Sequence, residues 1–197
     1  MRRRYAGLLL PLALALGACG SQPSSNTGPS QPAVLSTSAV SCSRTTPAQT
    51  EGPYFKSGSP ERSSLIEPGM PGTHLSLSGR VLSASCTPVG HALLDFWQAD
   101  ASGNYDNSGY RLRGHLFSNE QGEFALETIV PGLYTGRTQH IHVKVQAPGG
   151  PVLTTQLYFP GQARNQQDSI FSPALLMEVN DGPGGKTATF NFVLAAS

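Results

Sequence analysis

The sequence predicts an all-β fold, built as a single antiparallel β-sandwich domain with long functional loops. Two observations support this fold class. The 197 residues include 22 glycines and 16 prolines, which imply many turns. Several short segments alternate apolar and polar residues, whereas long amphipathic helical periods are absent. Residues 47–197 contain no internal repeat or second linker, and this length suits one domain with a single core.

The predicted strands follow one another at short intervals. The segment His74–Ser85 alternates, with Leu75, Leu77 and Val81 spaced for one face of a sheet. Further strands are predicted at residues 92–100, 110–119, 123–130, 140–147, 152–159 and 188–194. Residues 163–176 are expected to form a short helical turn or an irregular loop. Seven to nine strands joined by short turns are typical of a sandwich or barrel.

The N-terminus has the features of an export signal. Residues 1–18 comprise a basic start and an apolar stretch, followed by Cys19. The pattern resembles a bacterial lipoprotein signal peptide, cleaved before Cys19 and lipidated on its sulfur. The apolar run is too short to be a good membrane span. We therefore expect an extracytoplasmic protein of the bacterial cell envelope, held to the membrane by its lipid; an ordinary signal peptide with an incidental cysteine is the alternative.

Residues 19–46 are rich in Ser, Pro, Thr and Gly and contain few large apolar residues. Such a segment cannot bury enough surface to order itself, so it predicts a flexible tether between the lipid and the domain. If Cys19 is lipidated, Cys42 and Cys86 are the cysteines that remain. In an oxidising compartment these two can form a disulfide, although two unpaired thiols stay an alternative.

The charge balance excludes one class of partner. The net charge is +1 and only 13% of residues are charged. A nucleic-acid-binding domain is expected to carry a basic patch or stripe, so we expect no nucleic-acid partner.

Two histidines stand one residue apart in the segment GRTQHIHVKVQ, residues 136–146. Because successive strand side chains point to opposite faces, His140 and His142 share a face, while Ile141 and Val143 face a core. Two neutral imidazoles at this spacing suit one metal ion. A chance pair of surface histidines is the alternative, so the metal hypothesis needs further ligands.

Those ligands are indicated by a resemblance to the intradiol ring-cleavage dioxygenases, the family of protocatechuate 3,4-dioxygenase and catechol 1,2-dioxygenase. The resemblance is carried by TEGPYF at residues 50–55, WQADASGNY at 97–105, IVPGLY at 129–134, RTQHIH at 137–142 and TTQLYF at 154–159. It covers roughly residues 50–192, nearly the whole domain. It implies Fe(III) as cofactor, with a catechol-type substrate and O₂ as reaction partners.

The resemblance assigns roles to individual residues. It implies Tyr105, Tyr134, His140 and His142 as the iron ligands. It also implies that Tyr134 leaves the metal as the substrate binds and then takes a substrate proton. Arg137 and Gln156 match positions beside the metal. There the guanidinium would stabilise negative charge developing on the ring, and the amide would hydrogen-bond a substrate oxygen.

Other interpretations stay open at this point. Tyr110 is a rival to Tyr105 as a ligand, although the spacing after Trp97 favours Tyr105. A metal hydrolase or Fe(II) oxygenase could combine the two histidines with a distant carboxylate, Asp168 or Glu178. A non-enzymatic β-sandwich binding module would need no metal. We expect Trp97 to pack in the core, Tyr54 and Tyr158 to form pocket walls or core, and His74, His91 and His115 to be structural or exposed.

Overall fold

The computed structural model describes residues 41–195. The predicted signal peptide, Cys19 and residues 20–40 of the predicted tether lie outside these described residues. Within them the chain forms strands and two short 3₁₀ helices, at Ala163–Gln166 and Pro173–Leu175. The strands are β1 (His74–Ser83), β2 (Leu93–Trp97), β3 (Arg113–Phe117), β4 (Glu123–Ile129), β5 (His140–Gln146), β6 (Val152–Tyr158), β7 (Glu178–Gly182), β8 (Gly185–Thr189) and β9 (Phe192–Leu194).

The strands pair into two sheets, as the sandwich prediction requires. One sheet has the order β4-β1-β8-β7, with β9 paired to the second half of β1. The other has the order β3-β2-β5-β6, and all its pairs are antiparallel. The strands predicted at residues 74–85, 92–100, 110–119, 123–130, 140–147 and 152–159 are confirmed, with ends shifted by up to three residues.

The prediction of a purely antiparallel sandwich was wrong at one place, because β1 pairs in parallel with both β8 and β9.

The single strand predicted at 188–194 is two strands. It is interrupted where the Asn191 side chain, rather than the backbone, accepts a hydrogen bond from the Arg80 N–H at 2.9 Å. Strand β7 was missed, because its residues are mostly exposed and show no apolar alternation.

The core lies between the inner faces of the two sheets. Leu75, Leu77 and Val81 of β1 are almost completely buried there, as their spacing predicted. Ile141 and Val143 of β5 are also fully buried and face them from the other sheet. Because side chains alternate, His140, His142 and Lys144 of β5 lie on the outer face of the four-stranded sheet, together with Gln156 and Thr154 opposite them in β6.

An N-terminal segment, residues 46–62, crosses that outer face and covers it. Its backbone pairs with the domain at both ends, where Thr46 N donates to Val193 O and Arg62 N donates to His115 O, each at 2.8 Å. In between, Lys144 of β5 forms an ion pair with Glu51 and lies over the ring of Phe55. The segment that contains the TEGPYF sequence therefore covers the outer face.

Cys42 and Cys86 form a disulfide, with Cα atoms 5.4 Å apart. Cys42 is buried in a small apolar cluster with Leu82 and Val193. Ordered contacts thus begin within the last residues of the predicted tether, upstream of residue 47. None of the helices in residues 41–195 has the length and apolar character needed to span a membrane.

Candidate metal centre

His140 and His142 lie side by side on the outer face of β5. Each is only 3% exposed, and their Nε2 atoms are 3.1 Å apart. The strand period produces this pairing, because the intervening Ile141 is fully buried in the core on the opposite face. Two nitrogen ligands about 2.1 Å from one ion and at right angles to each other would be about 3 Å apart. The spacing of the two Nε2 atoms therefore suits a shared ion.

The hydrogen bond of His140 defines its free nitrogen. Its Nδ1 lies 2.7 Å from the carbonyl oxygen of Thr138, which can only accept, so Nδ1 carries the proton. The lone pair is then on Nε2, the atom that faces His142. The Nδ1 of His142 is a buried atom without a hydrogen-bond partner among the described residues. Its ring is held instead by the indole of Trp97, stacked at 4.8 Å and 8°.

Tyr105 reaches the histidines from the loop that follows β2. Its hydroxyl lies 3.2 Å from the Nε2 of His140. The loop is shaped by Asp100, whose carboxylate accepts hydrogen bonds from the N–H groups of Ser102 and Asn104 at 2.9 and 3.0 Å. The buried guanidinium of Arg113 donates to the carbonyl oxygen of Asp106, next to Tyr105. These contacts place a phenol at the histidine pair.

Tyr134 comes from a second loop that packs directly on the first. Gly132 N donates to the carbonyl oxygen of Asp100 at 2.7 Å. A side chain at Gly103 would meet the backbone oxygen of Leu133 at 2.2 Å, and its φ of +86° also favours glycine. The contact between these loops brings the ring of Tyr134 edge-on to that of Tyr105, with centroids 5.7 Å apart.

The N-terminal segment adds a third tyrosine. The ring of Tyr54 stacks on that of Tyr105, with centroids 4.4 Å apart. Its hydroxyl lies 2.9 Å from the hydroxyl of Tyr134. This hydrogen bond is the largest cause that raises the pKa of Tyr54. Sequence reasoning assigned Tyr54 only to a pocket wall or core, although the TEGPYF resemblance marked the segment that contains it.

Arg137 and Gln156 lie next to each other at the edge of the site. An Nη2 hydrogen of Arg137 is donated to the Oε1 of Gln156 at 2.7 Å, and its Nε donates to Asp168 at 2.8 Å. Gln156 stands directly opposite His142 in the β5–β6 register. Its own Nε2 donates to the carbonyl oxygen of Thr50 in the N-terminal segment at 2.9 Å. Both residues are therefore held beside the histidines.

Burial keeps the site neutral in the absence of an added cation. Burial lowers the pKa of His140 to about 4, and it drives the pKa of His142 well below the ordinary value. Burial also raises the pKa of Tyr105, although the nearby Arg137 and Arg113 guanidinium groups oppose the rise. Neutral imidazoles are ready to bind a metal, and a bound cation would favour the phenolate form of the tyrosines.

The donors present fit a ferric ion. The Nε2 of His140 lies 3.2 Å from the Oη of Tyr105 and 3.1 Å from the Nε2 of His142, and the ring of Tyr134 packs edge-on against that of Tyr105. Phenolate is a hard anionic donor, which suits Fe(III), and imidazole is a common ligand of iron. A bound cation is therefore expected to stabilise this buried, neutral set of donors.

The rival residues lie elsewhere. Tyr110 donates its hydroxyl to the carbonyl oxygen of Ser57 at 2.9 Å. Asp168 accepts from Arg137, and Glu178 is an exposed residue of β7. Residues 41–195 contain no group of three His, Cys, Asp or Glu side chains that could hold a metal ion.

The remaining histidines serve structure or lie exposed, as expected. His74 contacts Glu127 at a half-buried position, and His91 contacts Glu120 at an exposed one. The Nδ1 of His115 lies 2.8 Å from the carbonyl oxygen of Ser59, so this histidine helps to fasten the N-terminal segment. Trp97 is buried, but it lies on the outer face opposite His142, where it stacks on that histidine, and not in the core between the sheets as expected.

Comparison with known proteins agrees with this geometry. A protein-family model described as "Dioxygenase" matches residues 50–196. The chain belongs to the intradiol ring-cleavage dioxygenase family, and it is an enzyme of that class.

Individual relatives show how far the likeness extends. The dioxygenase domain of a dioxygenase and carbohydrate-binding protein fusion from the cellulolytic bacterium Streptomyces sp. SirexAA-E is 56% identical. The match covers 78% of this chain and all of that one, with a TM-score of 0.77. Chlorocatechol 1,2-dioxygenase of Rhodococcus opacus is 29% identical, over 76% of this chain and 72% of that protein. Hydroxyquinol 1,2-dioxygenase of Nocardioides simplex is 31% identical over 64% of this chain, but only 51% of that protein is covered.

Proposed function

We propose that this protein is a non-haem Fe(III) dioxygenase acting on a catechol-type substrate. It cleaves the aromatic ring between the two hydroxylated carbons with O₂ and yields a muconate-type diacid. The observation that carries the proposal is that the Nε2 of His140 lies 3.2 Å from the Tyr105 hydroxyl and 3.1 Å from the Nε2 of His142, in a chain of the intradiol family.

Tyr105, Tyr134, His140 and His142 would hold the iron. When bound, Fe(III) makes a coordinated catecholate reactive towards O₂. The protein's contribution is to present two phenols and two imidazoles from rigid positions. β5 supplies both histidines, and Trp97 and the Thr138 carbonyl fix their rings. Two loops packed on each other supply the tyrosines.

Tyr134 is the residue best placed to accept a proton from the substrate. As a phenolate held by a bound cation, Tyr134 would be able to take a proton from a substrate hydroxyl, and the hydrogen bond to the Tyr54 hydroxyl would hold its oxygen in place. Arg137 supplies a fixed positive charge next to the substrate position, where it stabilises negative charge on the ring. Gln156 is held by Arg137 and Thr50, so that its amide is oriented before substrate binds.

The proposal also places the enzyme outside the cytoplasm. The sequence features of residues 1–18 and Cys19 support a lipid-anchored protein of the bacterial cell envelope, with the residues between Cys19 and Cys42 as tether. The Cys42–Cys86 disulfide agrees with an oxidising compartment. A Cys19→Ser variant tests the anchor: it should move from the membrane fraction to the soluble fraction. If its distribution is unchanged, the lipidation assignment is incorrect.

The first test of the activity is spectroscopic. Residues 20–197 are produced, loaded with iron, and their visible spectrum is recorded before and after catechol is added under nitrogen. The proposal expects a broad tyrosinate charge-transfer band that shifts with catechol, and a diacid product once O₂ is admitted. A colourless protein that retains no iron would instead favour a binding module, and one that holds zinc or Fe(II) would favour another metal chemistry.

A further inference from the structure

The side chain of Asp168 is almost completely buried behind Arg137. It is 2% exposed, and its Oδ2 accepts hydrogen bonds from the Nε of Arg137 at 2.8 Å and from the backbone N–H of Thr138 at 3.0 Å. Its Oδ1 accepts from the N–H of Ile170 at 3.2 Å. Both carboxylate oxygens are thus directed at protein donors; burial by itself raises the pKa of this carboxyl, but the hydrogen bonds from Thr138, Arg137 and Ile170 together hold it below its ordinary value.

Asp168 and Gln156 hold the Arg137 guanidinium from two different sides. Asp168 engages Nε and Gln156 engages Nη2. Within the described residues, the guanidinium donates hydrogen bonds through these two nitrogens, with Nη2 also 3.4 Å from the Tyr158 hydroxyl, so Nη1 is left to face other groups. A planar guanidinium held at two nitrogens has little freedom to rotate, and its remaining N–H groups point in a set direction.

The same carboxylate supports a metal-binding histidine through the backbone. Asp168 binds the N–H of Thr138, and the carbonyl of Thr138 binds the Nδ1 of His140. The hydroxyl of Thr138 in turn donates to Asn165 at 2.7 Å. Two side chains of the loop at residues 163–171 therefore hold the residues between Arg137 and His140.

We infer that Asp168 is a positioning residue for the reaction, which aims the Arg137 guanidinium at the substrate and steadies the peptide that orients His140. The inference rests on the proposed function. Asp168 would touch neither substrate nor iron, and its effect would pass mainly through Arg137 and in smaller part through Thr138 to His140. Removing one member of a buried ion pair leaves its partner uncompensated, so Arg137 is expected to reorient when the carboxylate is lost.

The test is a double-mutant cycle of kcat with catechol, using Asp168→Asn, Arg137→Ala and the double variant. We expect Asp168→Asn alone to lower kcat by about 10–100-fold, the usual effect of residues behind the first ligands. Iron content and the visible band should be retained, and Asp168→Glu should recover part of the rate. In the Arg137→Ala background the Asp168 change should lower kcat by much less than in the wild type, because only the path through Thr138 to His140 remains. Asp181→Asn, an exposed carboxylate paired with Lys186, is the matched control.

A second measurement does not depend on activity. In the iron-free protein, the ¹⁵N-attached Nε proton of Arg137 should exchange slowly with water, and Asp168→Asn should accelerate that exchange. Wild-type kcat in Asp168→Asn, additive losses in the double variant, or a misfolded protein for both Asp168→Asn and Asp168→Glu would overturn the inference. An inactive wild-type enzyme with a protected Nε proton would refute the proposed function while leaving the Asp168 contact intact.

Discussion

The hydroxyl of Tyr54 lies 2.9 Å from the hydroxyl of Tyr134, across 80 residues of sequence. Tyr54 belongs to the N-terminal segment that covers the outer face of the sheet, whereas Tyr134 belongs to a loop at the edge of the sheet. The contact joins this N-terminal segment to one of the proposed iron ligands. It also gives the phenol of Tyr134 a partner that does not depend on the metal.

Replacement of Tyr54 by Phe removes this partner and keeps the ring stack on Tyr105. We expect kcat to fall by up to about tenfold, because one hydrogen bond contributes about 0.5–1.5 kcal/mol. The charge-transfer band should shift as Tyr134 changes its surroundings. Steady-state kinetics and the visible spectrum provide the check. Identical spectra and rates would show that the hydrogen bond has no part in the site.

Replacement of a proposed ligand should abolish most activity without unfolding the domain. Tyr134→Phe and His142→Ala are each expected to lower kcat by more than about 100-fold, since residues merely behind metal ligands typically cost about 10–100-fold. Iron content and circular dichroism are measured in parallel. Tyr110→Phe is the matched control, because its hydroxyl is bound to Ser57 and lies outside the site. Full turnover in either ligand variant would contradict the assignment.

The iron-free protein should lose stability as the pH falls. The pKa of His140 is lowered from 6.5 to about 4 in the folded state, so between these values the unfolded chain binds a proton that the folded chain does not. Stability is therefore present above pH 6.5 and is lost as the pH approaches 4, by about 3 kcal/mol for this residue. The pKa of His142 is also lowered in the folded state, so this residue likewise reduces the stability of the folded protein as the pH falls.

Urea unfolding at pH 7.5 and pH 4.5 measures this effect. His140→Asn should flatten the dependence on pH, because the group that resists protonation is gone. His91→Gln, which alters an exposed histidine, should leave the dependence as in the wild type. An unchanged pH dependence in His140→Asn would mean that other groups govern it.

The disulfide should contribute to stability. Cys42→Ser is expected to lower the free energy of unfolding by about 2–4 kcal/mol, because the bond closes a loop with a sequence separation of 44 residues. Differential scanning calorimetry of this variant, and of the wild type with and without reductant, measures the loss. A melting temperature insensitive to both changes would show that the bond does not form in solution.

Much of the fold could be predicted from local pattern. The period of two in residues 74–85 and 140–147 identified β1 and β5 and the buried faces of both. β7 and the parallel pairing of β1 with β8 and β9 could not be predicted in this way. β7 is exposed and lacks apolar alternation, and pairing between distant strands leaves no local signal.

The sequence by itself determined that His140 and His142 share one face of a strand, because the strand period is a property of the backbone. Through its motifs it also determined the family, and with it the expected roles of Tyr105 and Tyr134. Only the tertiary structure decided which hydroxyl meets Tyr134 and which carboxylate holds Arg137. Those partners are 80 and 31 residues away along the chain. They come together only when the two sheets pack and the N-terminal segment closes over the outer face, since such contacts follow from the packing of distant elements.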